Sequence, residues 1–320
     1  MSEFDLIKRY FTRPAPSAVL GVGDDAALLR ISDGMELAVS TDMLVSGTHF
    51  LPDADPSQLG HKTLAVNLSD MAAMGAVPRW ATLALSMPSA NESWLKRFSA
   101  GFFALADEYG VELIGGDTTR GPLNLCVTIM GEVPKGMALR RSGAKAGDDI
   151  WVSGSLGCAA LGLAHLKCKI TLPDDIRRFC LAALLQPQPR IALGPALRGI
   201  ASSAIDISDG LLADLGHILE SSNMAAEVRY DRLPVSPLIA SFAKERLDEL
   251  VQQCVLSGGD DYELCFTAPD ARRNEIELLA TRLNLQLSRI GKIVSGRGCK
   301  VRAADGSVMT IKESGYDHFK

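Results

Sequence analysis

Val111-Glu112-Leu113-Ile114-Gly115-Gly116-Asp117-Thr118-Thr119-Arg120-Gly121 runs from an apolar segment into two glycines, a carboxylate, two hydroxyls and a cation. Glycine lets a backbone approach a ligand closely and take φ > 0. Neighbouring N–H groups in such a turn can hold phosphate oxygens. A carboxylate beside a phosphate is repulsive unless a cation lies between them. The stretch therefore reads as a short strand, 111–114, delivering a turn suited to metal plus phosphate. The same pattern recurs at Gly23-Asp24-Asp25, Ser40-Thr41-Asp42, Asp206-Ile207-Ser208-Asp209-Gly210 and Gly258-Gly259-Asp260-Asp261.

Around that strand, 80–87 and 123–133 also read as strands, and 91–109 as a helix with Trp94, Leu95, Phe98, Phe102 and Leu105 along one side. Residues 56–76 form a long helix opened by Asp55-Pro56-Ser57. Its second half is apolar almost all round and so buried. Asn67 and Asp70 share a face there. Burying a charged Asp is costly unless it is paired or bound to a metal. Residues 36–41 alternate as a strand that ends in Ser40-Thr41-Asp42. Residues 3–11 are a short amphipathic helix with Phe4, Ile7 and Phe11 on one face.

Gly21-Val22-Gly23-Asp24-Asp25-Ala26 matches a loose dinucleotide fingerprint. That reading fails, because no strand precedes it and two carboxylates stand where a pyrophosphate belongs. His49, alone in Gly47-Thr48-His49-Phe50, is by default a hydrogen-bonded structural residue. The first half thus reads β-α-β-α-β-β, an α+β layer domain. The boundary falls near Gly136, giving domains 1–136 and 137–320.

In the second half, 136–147 is a polar stretch with Arg140, Arg141 and Lys145, either a solvated linker or a phosphate clamp, of which composition alone favours the linker. Residues 149–153 are a strand. Gly154-Ser155-Leu156-Gly157 then opens helix 158–166, as an anion-friendly turn or a packing device. In strand 203–208, Asp206 and Ser208 point the same way, and Ser208 or Asp209 caps helix 211–219. Further strands are expected at 255–259, 262–266 and 286–293, with a helix at 273–284. The tail Gly315-Tyr316-Asp317-His318-Phe319 places two aromatics where they could plug or cover a site.

Composition sets the limits. The chain has 320 residues, 47% hydrophobic and 22% charged, with a formal charge of −5. That is globular and argues against a nucleic-acid partner. No stretch of ~18 apolar residues suggests a membrane span, and the N-terminus shows no secretory pattern. The seven scattered cysteines, without Cys-x-x-Cys, read as reduced core residues of a cytoplasmic protein.

Asp24, Asp25, Asp42, Asp70, Asp117, Asp206, Asp209, Asp260 and Asp261 could not converge bare, because they would repel one another. Oxygen-only donors point to hard cations, Mg²⁺ first. So many carboxylates imply several ions and a polyphosphate such as a nucleoside triphosphate. The P-loop and protein-kinase motifs are absent. The residues by themselves stop at a multi-Mg²⁺ enzyme acting on phosphates.

In this order, Gly23-Asp24-Asp25-Ala26, Ser40-Thr41-Asp42, Asn67-Leu68-Ser69-Asp70-Met71-Ala72-Ala73-Met74-Gly75-Ala76, Gly115–Gly121, Asp206–Gly210 and the terminal Gly315–Phe319 resemble the thiamine-monophosphate kinase family. Its superfamily includes aminoimidazole ribonucleotide synthetase and selenophosphate synthetase. The resemblance covers essentially the whole chain. It implies a two-domain α+β fold, a homodimer formed by the N-terminal domain, and ATP held with the C-terminal domain. It implies transfer from ATP to thiamine monophosphate, directly and in line, assisted by several Mg²⁺ ions.

By motif match, Asp25, Ser40, Thr41, Asp42, Asp70, Asp117, Asp206 and Asp209 would be metal ligands. Gly116, Asp117, Arg141 and Ser208 would contact ATP, with Asp42, Asp117 and Arg141 central to catalysis. His49, Asp260 and Tyr316 would face thiamine monophosphate. The family often has Glu where Asp260 stands, so a water could bridge the shorter side chain. Selenophosphate synthetase uses an early Cys, and the first here is Cys126. A metal-dependent phosphohydrolase and a metal-binding structural protein are the rivals from other classes.

Overall fold

The computed structural model describes residues 2–246, 248–311 and 315–316. The chain divides into two compact units, residues 1–71 with 76–136, and residues 72–75 with 137–320. Both mix helices with a sheet, so the fold is α+β, as the resemblance implies.

The first unit begins with α1 (Glu3–Leu6), which continues as a π-type turn over Ile7–Phe11. Leu6 and Phe11 are buried, whereas Phe4 is 78% exposed and does not belong to the core face. There follow β1 (Met35–Val45), α2 (Pro56–Ala73), β2 (Val77–Met87), α3 (Glu92–Tyr109), β3 (Glu112–Arg120) and β4 (Asn124–Pro134). The strands form one sheet in the order β1-β4-β2-β3, with β2 and β3 parallel. Leu83, Leu85, Leu125, Val127 and Ile129 alternate on its buried face, the period of a sheet covered on one side. α2 lies against that face, since Asn67 Oδ1 accepts the Asp42 N–H and the Ser40 hydroxyl donates to Asp70 Oδ2. The α3 start is capped by Asn91, and Gly110 ends it left-handed.

One expectation fails here. The strand does not stop at Ile114; β3 runs on through Arg120, so the Gly-Gly-Asp motif is strand rather than turn. Parallel pairing to β2 carries it, with Leu83 opposite Gly116 and Ala84 opposite Asp117. A register shift at Ala81/Thr82 absorbs one residue.

The second unit contains β5 (Asp149–Ser153), α4 (Cys158–Leu166), α5 (Asp174–Leu185), α6 (Leu193–Ala196), β6 (Ser203–Asp206), α7 (Leu211–Ser222), β7 (Ala225–Arg229), α8 (Pro237–Arg246), α9 (Asp248–Ser257), β8 (Leu264–Ala268), α10 (Arg273–Leu283), β9 (Leu287–Val294) and β10 (Gly298–Arg302). Its sheet has the order β10-β7-β9-β5-β8-β6. One face packs Ile150, Val152, Ile205 and Cys265 against α4 and α7 residues such as Leu161 and Leu215. The other packs Trp151 and Phe266 against Leu193 and Ile276.

Two readings are corrected. Residues 255–257 are the last turn of α9, not a strand. A short buried aliphatic run such as Val255-Leu256 suits either element, and periodicity cannot separate them. β8 begins at Leu264, not 262, because Asp260 and Tyr262 take positive φ and cannot join a ladder.

Candidate functional site

In the first unit a cavity of about 590 Å³ lies between α1, the 22–27 loop, β2 and β3. Asp24, Asp25, Gly116 and Asp117 line it, together with the apolar Phe4 and Leu113. The 20–28 segment folds back on itself through the Leu20–Leu28 bridge, and Asp24 Oδ1 accepts the Asp25 N–H at 3.0 Å. Asp24 thus bonds its neighbour's backbone, and exposed Asp25 sits on the cavity wall. Gly116, at φ 149°, leaves no room for a side chain, since a Cβ would stand 1.9 Å from the Leu83 carbonyl oxygen.

The β1 residues form a second group. Ser40 Oγ donates to Asp70 Oδ2 at 2.6 Å, which pairs the half-buried helix carboxylate with a hydroxyl. Asp42 lies next along that face beside Asn67. Its charge, after burial, helps to raise the Cys126 thiol pKa. Thr41 points to the opposite face, its hydroxyl 2.9 Å from that of Thr128. Asp42, Val127, Leu83 and Gly116 form one row across the sheet. Asp42 and Asp117 therefore sit on opposite edge strands, three inter-strand steps or about 14 Å apart along the sheet. His49 Nδ1 accepts the Val45 N–H at 3.0 Å, which fixes the ring and leaves Nε2 to carry the proton of the neutral form.

The second unit gathers Ser208, Asp209, Asp260 and Tyr316 by backbone pairing. The Asp260 N–H donates to the Ser208 carbonyl at 2.8 Å, and the Tyr262 N–H to that of Ile207 at 2.8 Å. On the other side the Tyr316 N–H donates to the Asp209 carbonyl at 3.0 Å. Gly315 fits only without a side chain, its Cβ position being 2.4 Å from Ala213 Cβ. Asp317, His318 and Phe319 lie outside the described residues. Buried Asp206 ends β6 immediately before this turn. Arg141 is exposed, and its carbonyl accepts the Ser222 hydroxyl at 3.3 Å.

The α7 cap differs from expectation. Neither Ser208 nor Asp209 caps the helix; Gly210 is its N-cap. Asp214 reaches back instead, and its Oδ2 accepts the N–H groups of Ser208, Asp209 and Gly210 at 3.0, 3.0 and 3.1 Å. Burial pushes the Asp214 pKa up to about 7, opposed by those three amides. The helix start at Gly157 is likewise taken by a carboxylate. Asp261 accepts the Gly157 N–H at 2.9 and 3.1 Å, so the 154–157 turn is a packed, capped junction. Burial raises the Asp261 pKa well above the carboxylate range, against the Gly157 and Ala159 amides.

Glu263, 4% exposed, accepts Ser153 Oγ at 2.5 Å and Arg190 Nε at 2.6 Å, with a second Arg190 contact from Nη2 to Oε1. Sequence reading passed over Asp214, Glu263 and Arg190. An acidic residue in the first turn of a predicted helix was the available signal for Asp214. Nothing local marks Glu263 and Arg190 as partners.

Among the described residues no three His, Cys, Asp or Glu side chains stand close enough to hold a metal by themselves. The donors are nonetheless carboxylates and hydroxyls, the chemistry of a hard cation. Mg²⁺ usually takes one or two carboxylates, keeps waters and completes its shell with substrate phosphates. Scattered one- and two-carboxylate sets fit that habit.

Two family models match the chain: the AIR synthase related protein N-terminal domain over residues 23–133 and its C-terminal domain over 145–304. Fold and acidic turns thus define an AIR synthase related protein. Thiamine-monophosphate kinase of Salmonella typhimurium is 47% identical, over 99% of this chain and 98% of its own length. The crystal structure of thiamine-monophosphate kinase from Stenotrophomonas maltophilia K279a is 49% identical with TM-score 0.86, covering 97% of this chain and 98% of that one. AaThiL complexed with AMPPCP and TMP is 30% identical with TM-score 0.80, covering 99% and 96%. The chain belongs to the thiamine-monophosphate kinase family.

Proposed function

We propose that this chain transfers the γ-phosphoryl group of ATP to thiamine monophosphate, giving thiamine diphosphate and ADP. The full-length match to thiamine-monophosphate kinases carries the reading. A phosphate oxygen of thiamine monophosphate attacks the γ-phosphorus in line; one P–O bond forms and the bond to ADP breaks. With a second pKa near ~6 the acceptor is already mostly dianionic, so no strong general base is required. The obstacle is repulsion between two polyanions, and bound Mg²⁺ supplies the neutralising charge.

Asp25 and Asp117 would hold Mg²⁺ against the charged end of ATP at the first unit's cavity, where Gly116 admits a close backbone approach. Ser40, Thr41, Asp42 and Asp70, and in the second unit Asp206 and Asp209, hold the remaining ions. Arg141 and Ser208 bind ATP. His49, Asp260 and Tyr316 face thiamine monophosphate. The 1–136 domain serves dimerisation and the metals, and 137–320 completes the ATP and substrate sites. The cytoplasm, where ATP is supplied and thiols stay reduced, is the place of work.

The decisive assay follows thiamine diphosphate and ADP with Mg²⁺, ATP and thiamine monophosphate. Both products are expected to appear in equal amounts and to stop when Mg²⁺ is chelated. ADP release that ignores the thiamine compound would identify a phosphohydrolase instead.

The homodimer has its own support. β1 is an edge strand, and Met35, Leu37, Val39 and Met43 on its open face are 39%, 41%, 56% and 51% exposed. A long apolar edge invites pairing with another chain. Light scattering should give twice the chain mass for the native protein and the single mass for Val39→Asp. A native monomer contradicts this assignment.

A further inference from the structure

Five described non-glycine residues take positive φ. Asn223 and Asn284 are helix C-caps, and Cys168 follows the C-cap of α4, where that conformation is common. Asp260 at φ 67° and Tyr262 at φ 49° are different. They stand one residue apart in the loop between α9 and β8, and a bulky aromatic in this region is an outlier. Such strain persists only where the surroundings over-determine it, and it clusters at ligand clamps.

Here the surroundings are specific. The backbone bonds to Ile207 and Ser208 fix both strained residues from one side. Gly259 permits the approach, since a Cβ would stand 2.3 Å from the Ser208 carbonyl oxygen. Asp261, between them, is tied to the start of α4, and Glu263 to Ser153 and Arg190. The arrangement brings the two side chains into contact. The hydroxyl of Tyr262, a residue only 7% exposed, donates to Asp260 Oδ1 at 3.0 Å.

We infer that Tyr262 is a positioning residue for thiamine monophosphate. Its hydroxyl holds the Asp260 carboxylate in one rotamer, ready for the cationic, amine-bearing organic part of the substrate. The substrate's own phosphate would be repelled by that carboxylate, so the recognised group is the organic one. The inference rests on the reading that Asp260 faces substrate. Ordering a side chain before binding removes a cost that the ligand otherwise bears. Tyr262 touches no reacting atom, so it sets affinity and leaves the chemical step alone.

The test uses the full-length enzyme as Tyr262→Phe, Asp260→Asn and the double variant. Kinetics and titration calorimetry with thiamine monophosphate are measured for each. Tyr262→Phe should raise KM and Kd for thiamine monophosphate about three- to tenfold, with kcat, KM for ATP and Tm near native values. The double variant should be no worse than Asp260→Asn, because both remove one interaction. If Asp260→Asn weakens thiamine monophosphate binding and Tyr262→Phe does not, the positioning role is wrong while Asp260 keeps its place. If neither variant matters, the substrate-facing reading fails as well. Equal rises in KM for both substrates with a fall in Tm would reduce Tyr262 to a structural residue and overturn the inference.

Discussion

Asp117→Asn is expected to lower kcat by about 10²–10³-fold, the range for deleting one group that stabilises developing charge, while Tm moves by no more than about 2 °C. The separation follows from where Asp117 sits. It is exposed on edge strand β3 and lines the cavity with Gly116 and Asp25. Asn has the same shape, so the strand loses nothing it needs. What disappears is a negative charge that would hold a cation against the triphosphate. A rise in the Mg²⁺ concentration needed for half-maximal rate should accompany the loss. Near-native turnover at low Mg²⁺ would remove Asp117 from the machinery. Asp42→Asn should behave similarly in rate but for a different ion, given its place on the opposite edge strand.

The acidic motifs stood out because their chemistry is local. A run of Gly, Asp and hydroxyl residues suits metal and phosphate wherever it lies, and their order carried the family resemblance, which the full-length relatives bear out. What could not be read was their conformation and company. The two glycines of 115–116 argued for a turn, yet pairing with β2 outweighed them. Val255-Leu256 looked like strand because β-branched and aliphatic residues fit either buried element. The meeting of Ser208, Asp209, Asp260 and Tyr316 depends on backbone bonds between residues 52 and 107 positions apart in sequence, the first of them beside the antiparallel pairing of β6 with β8. No window of sequence contains that information. The same holds for Arg190 with Glu263. Asp214 is the intermediate case: its helical position was legible, but not that it would replace both predicted caps.

Gly116→Ala and Gly115→Ala make the sharpest contrast that the chain offers, because the two glycines are adjacent and chemically identical. At Gly115 an added Cβ meets only Thr82 Cγ2 at 3.8 Å, an ordinary contact. At Gly116 it would stand 1.9 Å from the Leu83 carbonyl oxygen, and the residue sits at φ 149°. Neighbouring β2 backbone cannot yield as a flexible side chain would, so the strand pair must part or shift register. Overpacking costs about 1–3 kcal/mol, and an unsuitable backbone conformation adds about 1–3 kcal/mol. Total stabilities are about 5–15 kcal/mol. Gly116→Ala should therefore lower Tm by on the order of 10 °C and abolish ATP binding, whereas Gly115→Ala keeps its stability within about 1 kcal/mol. Equal stability of the two variants would show that β3 does not press on β2 in this register. Asp117, one residue further along the same strand, would then not be fixed opposite Ala84 on the cavity wall.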